Sequence, residues 1–302
     1  MEKRDSMDAF GAVSLIGFAA LIAFNQVVIA VVNEGLQPVF FAGLRSAGAI
    51  LLIWLWMRFR RIPVMITRET IMPGLAIGAV FALEFVFLFM ALDLTTVSRT
   101  SVIFYTMPVW LAIAAHFFVP GDRITPVKAL GLALALAGTA WAILQRPDSG
   151  EVSLAGDLFA LGGAICWAAI AFIAKATTLR NVTPHTQLLW QVGVSAPILL
   201  LAAPLFGDLV RDLQPIHLWG LAFQIVVVVS AGFLFWLWLL SIYPASGVAS
   251  FSFLSPVFGV LFGWALLGEE VGPVIFGALA LVALGLVLIN RPARAQVPQK
   301  VA

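Results

Sequence analysis

The chain has 302 residues, 62% of them hydrophobic and only 11% charged, with a mean hydropathy of +1.05. A soluble domain carries about 25% charged and about 45–50% apolar residues, so this composition excludes a water-soluble fold and describes an integral membrane protein. The formal charge of +2 says little alone, and the single cysteine, Cys166, excludes an internal disulfide or a cysteine metal cluster.

Crossing about 30 Å of hydrocarbon takes about 20 apolar residues in a helix. Apolar runs between turn and charge signals predict ten of them: Phe10–Val32, Pro38–Met57, Ile71–Leu92, Val97–Val119, Val127–Leu144, Leu154–Ala174, Gln187–Phe206, Trp219–Leu240, Val248–Leu267 and Val274–Ile289. No small-x-small cleavage signal follows a short apolar run near Met1, so the first helix is read as retained. The weakest breaks, Asp93 to Thr96 and Ser241 to Gly247, fall at matching positions of two halves.

Those halves are copies. The stretch from Pro108-Val109 to Gln145-Arg146-Pro147 reappears from Pro256-Val257 to Asn290-Arg291-Pro292, each with a Gly-acid pair inside it (Gly121-Asp122, Gly268-Glu269). Upstream, Pro38 and Pro184 open corresponding helices. The polar stretch Gln145 to Ser153 divides residues 1–147 from 148–302, two repeats forming one structural unit. An odd number of helices per copy inverts the second relative to the first, the usual plan of a secondary transporter holding its solute between the halves.

With the N-terminus in the cytoplasm, Lys3, Arg4, Arg58, Arg60, Arg61, Arg68, Arg123, Lys128, Lys175, Arg180, Arg291, Arg294 and Lys300 face inward, and only Arg99, Arg146 and Arg211 outward. Thirteen against three places both termini in the cytoplasm.

Gly156-Asp157 opening a helix that carries Cys166-Trp167, then Thr183-Pro184, resembles the second repeat of EamA-type proteins of the drug/metabolite transporter superfamily. So does the run Ser246-Gly247-Val248-Ala249 to Leu254-Ser255-Pro256-Val257 with Leu267-Gly268-Glu269-Glu270. The first repeat matches more loosely through Thr106 to Trp110, Gly121 to Thr125 and Gly131. The resemblance covers nearly the whole chain and implies ten helices in two inverted repeats, and export or exchange of small organic metabolites, often amino acids. It does not fix the substrate, because these motifs are scaffold positions. The first helix lacks the acidic residue on which the small multidrug resistance branch relies.

Polar groups at hydrocarbon depth need a partner or a task. Asn25 and Arg45 lie seven residues from the outer ends of their helices, roughly 10 Å deep, and Glu84 eight residues, roughly 12 Å. Arg45 and Glu84 are expected to offer opposite charges to a zwitterionic substrate; the alternative is a structural ion pair between helices. Gln191, placed in the second repeat as Arg45 is in the first, and Gln224 either bond the solute or bond neighbouring helices. Tyr105, Trp110, Trp167, Trp190 and Trp236 lie deep, and one or two are expected to line a pocket for an apolar or aromatic group while the rest pack. Trp54, Trp56, Trp141 and Trp219 sit near helix ends as interfacial residues. Pro108 and Pro256, about ten residues into matched helices, are hinges for alternating access or static bends. Gly74-x-x-x-Gly78 and Gly259-x-x-x-Gly263 allow close packing between helices of the same chain. His185 and His217 are read as solvated, His116 as interfacial or a proton relay, and Arg99 as a headgroup anchor or an attractor of anions.

No Walker-type phosphate loop, no His-Glu-x-x-His and no basic face for nucleic acid is present, so no cofactor, metal or nucleic-acid partner is expected. The reading is a monomeric secondary exporter, not an enzyme, of small amphipathic metabolites, with amino acids bearing apolar or aromatic side chains first. Proton-coupled multidrug or organic-cation efflux is the alternative within transport, and an intramembrane lipid-modifying enzyme the alternative of another class.

Overall fold

The computed structural model describes residues 8–119, 124–145, 152–243, 251 and 253–290, and every described element is helical. In chain order they are α1 (Ala9–Gly35), α2 (Pro38–Phe59), α3 (Arg68–Leu94), α4 (Val97–Phe104), α5 (Met107–Phe118), α6 (Pro126–Leu144), α7 (Leu154–Ala176), α8 (Pro184–Ala202), α9 (Pro215–Phe223), α10 (Phe233–Ile242), α11 (Leu254–Leu267) and α12 (Pro273–Ile289). Helices α4 and α5 form one span broken at Tyr105-Thr106. A π-helical stretch, Gln224–Gly232, joins α9 to α10. Among the described residues, eight spans are long and apolar enough to cross a membrane; α11 and α12 are shorter apolar helices.

The starts follow local chemistry. Proline occupies the first turn of α2, α6, α8, α9 and α12, where no backbone donor is lost. Side chains of Asp8, Gln37, Thr96, Thr125, Ser153 and Thr183 accept the free N–H groups of their helices. Gly268, at φ 69°, ends α11 in the left-handed conformation that glycine adopts without a Cβ clash.

The predicted spans match these elements within a few residues. The turn after Asp93 is present. Of the predicted Val248–Leu267 helix, the part from Leu254 is seen; Ser246 to Ala249 lie outside the described residues, as do Gly121-Asp122, Arg123, the linker 146–151 and the terminal cations Lys3, Arg4, Arg291, Arg294 and Lys300.

Matched helices of the two halves pack on each other, α2 on α8 and α6 on α12, and exchange partners, α1 against α11 as α7 against α4 and α5. Small residues permit the closest approaches. A Cβ on Gly131 or Gly138 would lie 2.8 or 2.7 Å from a carbonyl oxygen of α12, and one on Gly78 2.4 Å from Val194 of α8. Gly74 seats the Trp190 indole and Gly259 seats Ser101, so both Gly-x-x-x-Gly pairs serve contacts inside the chain.

Loop and cap contacts sort into two layers. At the proximal end, where α1 begins, Tyr243 Oη donates to Asp8 (2.7 Å), Met65 N to Thr186 Oγ1 (3.2 Å) and Thr178 Oγ1 to the Glu69 carbonyl (2.9 Å). At the distal end, Ser153 N donates to the Leu94 carbonyl (3.2 Å), Gln37 N to the Leu209 carbonyl (3.1 Å), and Arg211 pairs with Asp93. Each contact joins segments that an up-and-down order of ten spans puts on the same side.

Candidate functional site

Arg45 on α2 and Glu84 on α3 are both buried, 4% and 5% exposed. Each lies within the other's electrostatic reach, yet no direct ion pair joins them among the described residues. Arg45 Nε and Nη1 have no hydrogen-bond partner in the protein. The guanidinium rests instead on aromatic faces, 4.7 Å from the Phe85 centroid and 5.6 Å from that of Phe89. Such contacts offset part of the desolvation of a cation. They leave its in-plane donors unused, the donors that recognise a carboxylate bidentately.

Across from Glu84 lies α7. Cys166 of α7 lies near Glu84, and the next residue, half-buried Trp167, stacks on Phe104 at 5.1 Å and meets the Tyr105 ring edge-on at 6.1 Å. Tyr105 Oη is buried without a partner. Gly163 brings Phe104 of α4 against α7. Arg45, Glu84, Cys166, Trp167 and Tyr105 thus lie on neighbouring elements, α2, α3, α7 and the break between α4 and α5.

A second group sits where α1 meets the π-helical stretch. Gln224 is fully buried; its Nε2 donates to the Asn25 carbonyl at 3.2 Å, leaving Gln224 Oε1 and Asn25 Oδ1 unpartnered. Trp190, its Nε1 also unpartnered, and half-buried Gln191 lie toward the proximal end of α8. Trp236 is not brought to either group: it stacks on Phe18 at 4.8 Å, against the proximal cluster of Leu15, Leu239, Ile242 and Tyr243. Pro108 follows the span break directly, as second residue of α5. Pro256 is the third residue of α11, and what precedes that helix at 244–250 is outside the described residues.

Two expectations are corrected. Arg99 is no headgroup anchor but 2% exposed, donating from Nε and Nη2 to Asp157 at 3.1 and 2.6 Å and to the Ala142 carbonyl. It lies one turn inside α4 and Asp157 one turn inside α7, two helices that start at the same end, so each charge finds its partner on leaving water. His217 is not solvated but buried, its Nδ1 accepting from Gln214 N at 3.0 Å.

Sequence reasoning passed over Gln26, Asn33 and Thr100, buried polar residues of α1 and α4 each with an unpartnered atom. Gln26 accepts from Ser101 Oγ at 2.6 Å. Their signal was present, a polar side chain inside an apolar run, but nothing in one sequence ranks them. Glu269, noted only as part of a motif, accepts from Val97 N, Ser98 N and Ser98 Oγ at 2.5, 2.8 and 2.5 Å and so caps α4 across the repeats. The cleft between α11 and α12, about 800 Å³, is lined by residues such as Trp264 and Phe276 and by none of the nine residues expected to bind substrate.

The sequence profile of the EamA-like transporter family matches residues 9–144 and again 154–291. Among curated relatives, the uncharacterized transporter YoaV of Bacillus subtilis (strain 168) is 23% identical over 270 residues, covering 88% of this chain and 91% of its own. A probable amino-acid metabolite efflux pump of Salmonella typhimurium is 25% identical over 281 residues, covering 88% and 92%. A solved crystal structure at 18% identity superposes with a TM-score of 0.64 over 92% of this chain and 97% of that one, and shares the fold.

Proposed function

Because the chain belongs to the EamA-like transporter family, and is therefore a multi-pass membrane transporter, we propose that it exports small zwitterionic metabolites, amino acids with apolar or aromatic side chains foremost. The observation that carries this reading is the Arg45 guanidinium: buried, short of two hydrogen-bond partners, and near a carboxylate with which it makes no ion pair. A substrate carboxylate satisfies the free donors of Arg45, its ammonium faces Glu84, and its side chain lies along Phe85, Tyr105 and Trp167. Asn25 and Gln224 supply neutral acceptors. The efflux pump of Salmonella typhimurium, named for amino-acid metabolites, lends support to this substrate class.

In this reading, residues 1–147 and 148–302 are inverted repeats of one monomeric unit in a prokaryotic inner membrane, with both termini cytoplasmic. The proximal end is then cytoplasmic. The repeats rock about the shared site, flexing at Pro108 and Pro256. The protein performs no covalent chemistry.

The test is binding and flux of a labelled amino-acid panel in proteoliposomes, with and without a pH gradient. Each charge-assisted hydrogen bond contributes about 1.5–3 kcal/mol, so Arg45→Gln weakens binding roughly tenfold to a hundredfold, and Glu84→Gln acts in the same direction. Folded variants with unchanged affinity would remove both residues from the site. The competing reading is proton-coupled efflux of organic cations with Glu84 as the switch, and the absence of a direct Arg45–Glu84 pair keeps it alive. Cationic dyes that compete where amino acids do not, together with strict dependence on the gradient, would decide for it.

A further inference from the structure

We propose that residues 207–212, between α8 and α9, form a latch that closes the distal end over the Arg45 site, with the Arg211–Asp93 ion pair as its releasable bolt. The segment belongs to the second repeat and grips the first through three hydrogen bonds besides the ion pair. Leu209 accepts from Gln37 N at 3.1 Å and Arg211 N donates to the Gly35 carbonyl at 3.0 Å, which sets Val210 antiparallel to Leu36, and Arg211 Nη1 donates to the Asn33 carbonyl at 2.9 Å. The guanidinium also holds Asp93 on both oxygens, at 2.6 and 3.0 Å. The turn between α1 and α2 and the end of α3 are thereby tied to one loop of the opposite repeat.

This tie differs in kind from the Arg99–Asp157 ion pair, which also joins the repeats at this end. Arg99–Asp157 is dry, with side chains 3% and 0% exposed, and is a permanent strut. Arg211 and Asp93 are 37% and 15% exposed, so water and salt compete for them. The latch also reaches the site. Asn33, whose carbonyl accepts from Arg211, donates through Nδ2 to the Phe89 carbonyl at 2.9 Å, and the Phe89 ring lies 5.6 Å from the Arg45 guanidinium. Asp93 and Glu84 share α3. A carboxylate arriving at Arg45 alters the helix face against which Asn33 and Asp93 are held, and release of Arg211 frees the same helix to move. Main-chain bonds alone hold the closed loop once the bolt is withdrawn, which makes opening reversible.

The chain's one cysteine reports the state of this latch. Cys166 is 8% exposed and lies near Glu84, midway along α7. The experiment is the rate at which a membrane-impermeant methanethiosulfonate, added outside intact cells, modifies Cys166. An exposed, bidentate pair contributes up to about 1 kcal/mol, so Asp93→Arg or Arg211→Asp raises the rate about fivefold, and the charge-swapped double variant returns it toward the original. High salt accelerates labelling of the unaltered protein and leaves the neutral variants Asp93→Asn and Arg211→Gln unchanged, a signature that mere structural damage does not give. Should Arg211→Asp fail to reach the membrane, Arg211→Gln and the salt titration carry the test. Labelling of the single variants at the original rate, or a double variant as fast as the singles, overturns the latch. The proposal rests on the transport reading for its purpose, but the outcomes separate: unchanged labelling with intact amino-acid binding sinks the latch alone, whereas the expected labelling pattern with unaltered binding in Arg45→Gln sinks the substrate site alone.

Discussion

Replacing Asp157 with Ala strands the Arg99 guanidinium inside the bundle. The substitution removes bonds of 3.1 and 2.6 Å, leaves only the Ala142 carbonyl as a partner, and takes from Thr95 Oγ1 its 3.3 Å acceptor. Breaking one side of a buried pair costs about 3–5 kcal/mol in soluble proteins. In bilayers a single side-chain hydrogen bond contributes about 0.6 kcal/mol and at most about 1.7, because the unfolded chain in the membrane also finds partners. These figures bracket the loss at about 2–5 kcal/mol, and at about 2 °C per kcal/mol for a chain of this size the melting temperature falls by roughly 4–10 °C. Removing the exposed partner of the other pair, Asp93→Ala, costs at most about 1 kcal/mol and roughly 2 °C. The assay is thermal unfolding of the purified protein in detergent, read by a maleimide fluorophore that reacts with Cys166 once the core opens. Arg99→Leu/Asp157→Leu, which buries no charge, is expected to recover most of the loss. Equal shifts for Asp157→Ala and Asp93→Ala, or a double variant no better than the single, would refute the reasoning from burial.

Gly78→Ala places a Cβ 2.4 Å from Val194 and 2.6 Å from the Trp190 carbonyl, an overpacking that lowers stability by about 1–3 kcal/mol, whereas Gly17→Ala meets nothing within 4 Å and stays close to the original in the same melt. Glu269→Ala uncovers the first N–H groups of α4 and costs about 1–2 kcal/mol; Glu269→Gln, which keeps an acceptor but not the charge, loses less, and equal losses would show that the charge alone, not the retained acceptor, makes the cap.

Hydropathy alone laid out the spans, because a helix in lipid closes its backbone hydrogen bonds within its own segment and needs an apolar run long enough to cross. Proline at helix starts and Ser, Thr or Asp before them set the boundaries, since capping is local chemistry. The duplication was legible as well: Pro108 and Pro256 stand 13 and 12 residues before the Gly-acid pairs Gly121-Asp122 and Gly268-Glu269. Arg45 and Glu84 stood out singly, as charges at hydrocarbon depth. What they do there depended on other helices. Whether Arg45 meets Glu84, rests on Phe85 or frees its donors is set by how α2 lies against α3, and one chain's spacing does not encode that distance. Arg99 reads as a surface cation until α7 delivers Asp157 from 58 positions away. Arg211 reads as a loop marker until the second repeat folds it over Asp93. Burial, pairing and the latch are properties of contacts between distant segments, so only the tertiary structure decided them.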